Sequence, residues 1–390
     1  MKKILIALML LNSLVFAQVK KGNKVPDFDI QMVNTSQKNV KLSELKGKIV
    51  WLEFWATWCG PCIGAMPHLA DLQEKYKDQL RVIAISNEPA KRIEQFFAVK
   101  PFNLSFAVDT ANVLRKYFPY QLIPHSVLIS ADGKLISSTN PEQITAKIID
   151  SLLKGQAVHL EEKRDNLSTD YVKDYFYADD QLKSRVLWQP MIKGAGGMMF
   201  SHLDKPAFSG RRLTFINASL SSIFRRAFGD FPYERTIDSL GSLGENNFCL
   251  DLIVDSKHKL DEELKQELVK KYKVEAKIKE QIKEVFVLTI VDQEKFAQVK
   301  RNTDNSRTYF ARHGAIDQKG ILLKDFAEFL EGFGGLGSLV IDESDNADKL
   351  DIKFTFQPED KNSILAILNN MGLGLRKEHK LISFLVLKRL

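Results

Sequence analysis

Three cysteines occur in this 390-residue chain, and two of them stand as Cys59-Gly60-Pro61-Cys62 behind Trp58. Two thiols at this spacing can divide one reaction between them. The first attacks a disulfide and the second resolves the mixed disulfide that results. The spacing is also half of a zinc site. The third cysteine, Cys249, is far along the chain and no close pair of histidines lies near, so the ligand arithmetic favours thiol exchange. The apolar run Ile49-Val50-Trp51-Leu52-Glu53-Phe54-Trp55 leads into the pair, and a helical pattern follows. Cys59 is therefore placed at a helix N-terminus, where unpaired N–H groups and the dipole favour a thiolate. Glu53 interrupts the apolar run. A carboxyl held inside such a strand has a raised pKa, whereas on a strand face turned to water it would not.

Periodicity predicts the elements that position these groups. A central strand covers 48–55, and a helix opens at Pro61 with Ile63, Met66, Leu69 and Leu72 on its apolar face. Further strands are predicted over 80–86, 105–109, 126–130 and 135–138, with helices over 90–98 and 111–118. Ala131-Asp132-Gly133-Lys134 turns the last two strands into a hairpin. A final helix has Asn140 as N-cap, Pro141 at its first position, apolar Ile144, Ile148 and Leu152, and Gly155 as its stop. Strands alternating with helices before a closing hairpin give an α/β sandwich.

The stretch Phe54-Trp55-Ala56-Thr57-Trp58-Cys59-Gly60-Pro61-Cys62 resembles the active site of the thioredoxin superfamily, and its setting resembles the exported TlpA/ResA-like branch. Val25-Pro26-Asp27-Phe28 and Val40-Lys41-Leu42-Ser43-Glu44-Leu45 look like the entry segment of that branch, and Pro67 sits where thioredoxins have a helix-kinking proline. The resemblance covers 24–155. It implies a thioredoxin fold, with Cys59 attacking and Cys62 resolving. It also implies that Glu53 relays the proton of Cys62, and that Pro124 is cis and leaves the Ile123 backbone free for an extended substrate. Trp58, Gly60 and Pro61 would line the substrate site. His125, next to Pro124, would join them as a rim residue or tune Cys59. His68 reads as a surface residue. Where ResA-like proteins have a glutamate three residues after the second cysteine, this chain has Ala65. A ResA-type substrate preference is therefore not implied. No cofactor is expected beyond the redox-active Cys59–Cys62 pair. The implied partners are disulfide-containing proteins as substrates and a membrane thiol protein as electron donor.

Length and charge narrow the remaining classes. Met1-Lys2-Lys3, an apolar stretch from Ile4 to Phe16 and Val15-Phe16-Ala17 read as a secretory signal peptide cut after Ala17. An uncleaved anchor is the alternative, although the stretch is shorter than the roughly 20 residues a span needs. The mature protein is expected to be soluble and periplasmic, or otherwise extracytoplasmic, where disulfides are managed. Residues 18–155 contain 18 basic and 13 acidic residues, and 156–390 contain 36 of each. So even a distribution argues against nucleic-acid binding.

The expected organisation is a signal peptide (1–17), a thioredoxin-like domain (18–155), a connector (156–210) and two repeats (211–295 and 318–390). The connector combines the charged run Glu161-Glu162-Lys163-Arg164-Asp165, the aromatics Tyr171, Tyr175, Phe176 and Tyr177, and Gly194-Ala195-Gly196-Gly197. It reads as a partly ordered segment whose aromatics pack on one of the domains, or else as a flexible tether. In the repeats, Leu213-Thr214-Phe215 with Phe224 and Phe228 matches Ile321-Leu322-Leu323 with Phe329 and Phe333. Leu268, Val274 and Ile282 match Ile367, Leu373 and Leu381 at a constant offset of 99. Each copy reads strand, helix, two strands, helix, two strands, giving an α+β region of two βαββαββ-like modules. The order resembles secretin/TonB N-terminal domains, and phrases of both copies resemble a "soil-associated" exported domain family of unknown chemistry. His202, His258, His313 and His379 are scattered without ligand spacing. Ser219 and Ser222 suit a helix start, and Cys249 suits a buried apolar site.

The leading reading is an extracytoplasmic thiol–disulfide oxidoreductase. The Gly-Pro dipeptide is shared with thioredoxin, whose potential of about −270 mV marks a reductase against about −120 mV for a strong oxidant. The rival is an envelope scaffold whose repeats dock a partner while the redox domain is accessory. A peroxiredoxin-like peroxidase is a third reading, which Cys62 and the flanking tryptophans fit less well.

Overall fold

The computed structural model describes residues 18–390 apart from 245 and 313. The expected signal peptide and His313 thus lie outside the described residues. The chain forms two units, the first ending at Leu167 and the second running from Ser168 to Leu390.

The first unit contains β1 (Asp29–Met32), β2 (Asn39–Lys41), β3 (Ile49–Trp55), α1 (Gly60–Lys75), β4 (Leu80–Ser86), α2 (Ala90–Val99), β5 (Ser105–Val108), α3 (Val113–Tyr117), β6 (His125–Ile129), β7 (Leu135–Thr139) and α4 (Ala146–Leu153). Its seven strands form one sheet in the order β2-β1-β5-β4-β3-β6-β7. β3 lies between parallel β4 and antiparallel β6. All seven of its residues are buried, because the sheet is covered on both faces. Trp51 and Trp55 join the core under α1, and Val50, Leu52 and Phe54 join the core on the opposite face. This is the thioredoxin-like α/β arrangement.

The last helix departs from the expected cap. The Asn140 side chain makes no capping bond, and the chain first takes a short 3-10 turn, Pro141–Gln143. α4 starts only after Thr145, whose hydroxyl accepts the Ile148 N–H. Pro141 starts the turn without a donor to satisfy, and Thr145 supplies the acceptor a helix start requires.

The expected connector is not a separate segment. Residues 156–165 complete the first unit. Leu160 is buried in its core, Lys163 N–H donates to Ser138 O at 2.9 Å, and Thr139 Oγ1 donates to Glu161 O at 2.6 Å. From Ser168 the chain builds the second unit, through α5 (Tyr171–Tyr175), β8 (Arg185–Gln189) and β9 (Met198–Phe200). Tyr171 and Phe176 are buried with Ile192, Ile216 and Cys249. Large aromatic area is thereby removed from water, which a free tether would leave exposed.

The second unit continues with β10 (Arg212–Ser219), α6 (Leu220–Ala227), β11 (Thr236–Ser239), β12 (Asn247–Ile253), α7 (Leu260–Tyr272), β13 (Val274–Ile290) and α8 (Gln293–Ala297). Then come β14 (Ala311–Arg312), β15 (Ala315–Ile321), α9 (Leu323–Phe333), β16 (Val340–Asp342), β17 (Leu350–Thr355), α10 (Lys361–Asn370) and β18 (Leu373–Arg389). Its sheets have the orders β8-β12-β10-β9, β11-β18-β13-β16 and β14-β15-β17. Where two closing strands were expected in each half, there is one strand of 17 residues, β13 or β18. Neither contains a Pro, Asn or Asp to stop it, and the two pair antiparallel along their whole length.

Candidate active site

Cys59 is the N-cap of α1. Its Sγ accepts the Cys62 N–H at 3.2 Å, and Pro61 lies in the first turn, where a missing N–H leaves nothing unsatisfied. Cys59 and Cys62 form a disulfide with their Cα atoms 5.2 Å apart. Cys59 is 5% exposed and Cys62 only 1%, so an incoming group reaches the first sulfur more readily. Trp58, Gly60 and Pro61 are exposed around it. The loop that carries Cys59 into the helix is fastened by Glu88, whose carboxylate accepts the Thr57 N–H at 2.7 Å and the Thr57 hydroxyl at 2.8 Å.

Strand alternation decides which side chains join the cysteines. On β3 the odd positions turn to the α1 face, so Glu53 shares that face with Trp51 and Trp55. Its Oε2 accepts the Trp51 indole N–H at 2.9 Å and the Ser126 hydroxyl, while Oε1 is buried without a hydrogen-bond partner. Burial pushes the Glu53 pKa from an ordinary 4.5 to about 7, against the Ser126 and Trp51 hydrogen bonds that favour the carboxylate.

Ser126 stands opposite Glu53 in the β3–β6 register, and His125 stands opposite Phe54. His125 therefore points to the other face. It is buried rather than at the rim, stacked on Tyr120 at 5.0 Å, and burial lowers its pKa to about 3. The expectation that His125 binds substrate or tunes Cys59 is corrected on this ground. His68 is also not a plain surface residue. It is half-buried, with Nε2 2.9 Å from Ile144 O.

The Ile123–Pro124 peptide bond is cis, and both residues are half-buried. Pro124, Pro61, Gly64, Ala65, His68, Pro141 and Glu142 line one cavity of about 410 Å3. The structure thus brings Pro124 and the start of α1 to a shared opening, with Ala65 on its wall.

Residues 20–153 match the redoxin family model, and 244–390 match a model described as a protein of unknown function, DUF3738. The thiol-disulfide oxidoreductase ResA of Bacillus thuringiensis is 34% identical over 137 residues, 34% of this chain and 77% of that protein. The chain belongs to the ResA-like thiol-disulfide oxidoreductases. ResA of Bacillus subtilis is 31% identical over 120 residues, covering 30% of this chain and 66% of its own length. The exposed lipoprotein thioredoxin Etrx1 of Streptococcus pneumoniae is 25% identical, covering 33% of this chain and 99% of that one with a TM-score of 0.29. The two ResA likenesses concern about a third of the chain, and through them and the redoxin match the protein is a redox enzyme of the thioredoxin superfamily.

Sequence reasoning missed Trp51, Ser126 and Glu88. Trp51 was within reach, two residues from Glu53 on the same strand and so on the same face. Ser126 needed the antiparallel register, and Glu88 lies beyond the next strand, where no local pattern ties it to Thr57.

Proposed function

We infer that this ResA-like oxidoreductase is an extracytoplasmic disulfide reductase of protein substrates. The supporting observation is the stack of Cys59 at the helix start, Cys62 beneath it, and a buried carboxyl with a pKa near neutrality on the same sheet face. In the reduced state the Cys59 thiolate attacks a substrate disulfide, forming a Cys59–substrate disulfide and releasing one substrate thiolate, which takes a proton from water. Glu53 then takes the Cys62 proton, and the Cys62 thiolate attacks Cys59 Sγ. The second substrate sulfur leaves as a thiolate and takes up a proton equivalent to the one Glu53 removed, and the Cys59–Cys62 disulfide holds the two electrons' worth of oxidation. The Ile123 backbone beside Pro124 pairs with the substrate chain. A membrane thiol protein returns the dithiol. Among the described residues no helix is long and apolar enough to cross a membrane.

Trapping tests this reading. Cys62→Ala cannot resolve its mixed disulfides, so in the native envelope it is expected to accumulate adducts with specific cysteine proteins, all absent from Cys59→Ala. Absence of adducts from an expressed, folded Cys62→Ala would sink it. A measured potential near −120 mV would overturn the direction, since that value belongs to a strong oxidant.

We read the second unit as a duplicated module that docks an envelope partner. The runs β10-α6-β11-β12-α7-β13 and β15-α9-β16-β17-α10-β18 follow the same order, and β13 and β18 begin 99 residues apart. On the ribbon they form, Ile282 pairs with Leu381, and with Ile278 these side chains are 54–70% exposed. An apolar cross-strand patch of this kind suits partner contact. Deleting residues 211–390 would then abolish partner capture, and retained capture would refute the docking role.

A further inference from the structure

Residues 161–165 form a charged run that a sequence reader assigns to solvent, yet two of its side chains are largely withdrawn from water and bonded to the substrate loop. The Lys163 side chain is 11% exposed and that of Asp165 only 3%. Asp165 Oδ2 accepts both the Gln121 and the Leu122 N–H at 2.7 Å. Lys163 Nζ donates to Leu122 O at 2.8 Å and to Asp165 at 2.9 Å. The backbone of the same segment is tied to β7 through Ser138 and Thr139. Residues 118–124 belong to no helix or strand. Three of that loop's backbone groups thus find their partners in the strap, immediately before the cis Ile123–Pro124 bond.

We propose that Lys163 and Asp165 are positioning residues for the thiol exchange, fixing the loop 121–124 that receives the substrate. The assignment rests on the disulfide-exchange reading of Cys59 and Cys62. The electrostatics agree with the geometry. Burial works to raise the Asp165 pKa, but the Leu122 amide, Lys163 and the Gln121 amide outweigh it and hold the carboxyl below its usual range. Burial lowers the Lys163 pKa, opposed by Asp165 and Glu53. The polar and charged groups that act on Glu53 are Ser126 of β6, Trp51 of its own strand, Glu142 of the turn after β7 and Lys163 of the strap. Lys163 favours the Glu53 carboxylate, and Glu142 opposes it. A loop fixed in advance spares the substrate the ordering of its own binding edge, which an unfixed loop would require at each encounter.

The test uses the pre-reduced full chain, with insulin as an extended protein disulfide and a small aromatic disulfide that needs no backbone pairing. Asp165→Asn is expected to raise the insulin concentration for half-maximal rate about tenfold, the loss of charge-assisted hydrogen bonds to two amides. Its rate on the small disulfide should stay within about twofold, since no backbone pairing is lost there. Lys163→Met removes the donor to the Leu122 carbonyl and is expected to raise the same half-saturation by about threefold to tenfold, again with the small disulfide little changed. Unmoved half-saturation in either Asp165→Asn or Lys163→Met overturns the assignment while leaving the exchange reading intact. Equal losses on both disulfides show a role in folding alone and also overturn it. A wild-type protein inactive on both disulfides removes the exchange reading, and the assignment with it.

Discussion

Glu53 in the first unit and Asp251 in the second are strand carboxylates with 1% and 0% of their surface exposed, and they differ in the company they keep. Asp251 meets two guanidinium groups, Arg212 Nε at 2.9 Å and Arg185 Nε at 3.1 Å, together with the Thr214 hydroxyl. Both arginines also donate to the Phe176 carbonyl, so the cluster ties the segment after α5 to the sheet. Glu53 has only the neutral donors Trp51 and Ser126, and one of its oxygens has none. A buried carboxylate paired with cations acts as a fastening, because removing either partner strands a charge. One left short of partners resists ionising until near-neutral pH, which suits a group that takes and returns a proton.

The largest expected effect separates the two roles. Asp251→Ala leaves Arg212 buried without its counter-charge, which costs about 3–5 kcal/mol. Hydrogen exchange on the full chain should show lost protection in β12 and β10, with reduction of a small disulfide unchanged. Retained protection would break the contrast.

Glu53→Gln should act in the opposite direction on stability. Below pH 4.5 native and unfolded chains both have the proton on Glu53. Between 4.5 and about 7 the unfolded chain releases it while the native chain retains it, so the stability present in acid is lost as pH rises through the folded value. The neutral glutamine escapes this loss, and at pH 8 the variant should be more stable than wild type by about 3 kcal/mol, with no gain at pH 4. Its resolving step should slow by roughly 100-fold for want of a general base. A variant less stable at pH 8 would mean that Glu53 is as firmly paired as Asp251.

How far such a contrast can be read from sequence depends on which contacts are local. The acid within an apolar strand, the helix start at Cys59 and the alternating elements of 18–155 all follow from neighbours a few residues apart, and each has its place in the structure. His125 was misplaced because its distance along the chain from Pro124 was used where strand alternation decides the face. The arginines of Asp251 and the strap over loop 121–124 are 39 to 66 and 41 to 44 residues from their partners. Charged residues at that separation read as solvated until the fold brings them together. The long ribbon was divided in two because strands usually run about 5–6 residues, whereas β13 and β18 each continue for 17.

The smallest effects compare the two hydroxyls that serve the two acids. Ser126→Ala removes one of the two bonds that favour the Glu53 carboxylate. The acid limb of resolution should move up by on the order of one pH unit, with the fold barely affected at pH 5, where the native Glu53 has its proton. Thr214→Val should instead leave every rate and limb in place. It removes a donor to Asp251 and leaves His202 Nε2, 2.8 Å from the threonine oxygen, without that partner. Unsatisfied buried groups of this kind cost about 1–3 kcal/mol, measured as lost protection in β10. If Ser126→Ala lowered stability at pH 5 and moved no limb, the serine would be a fastening like Thr214, and the proton-handling role of Glu53 would lose its main support.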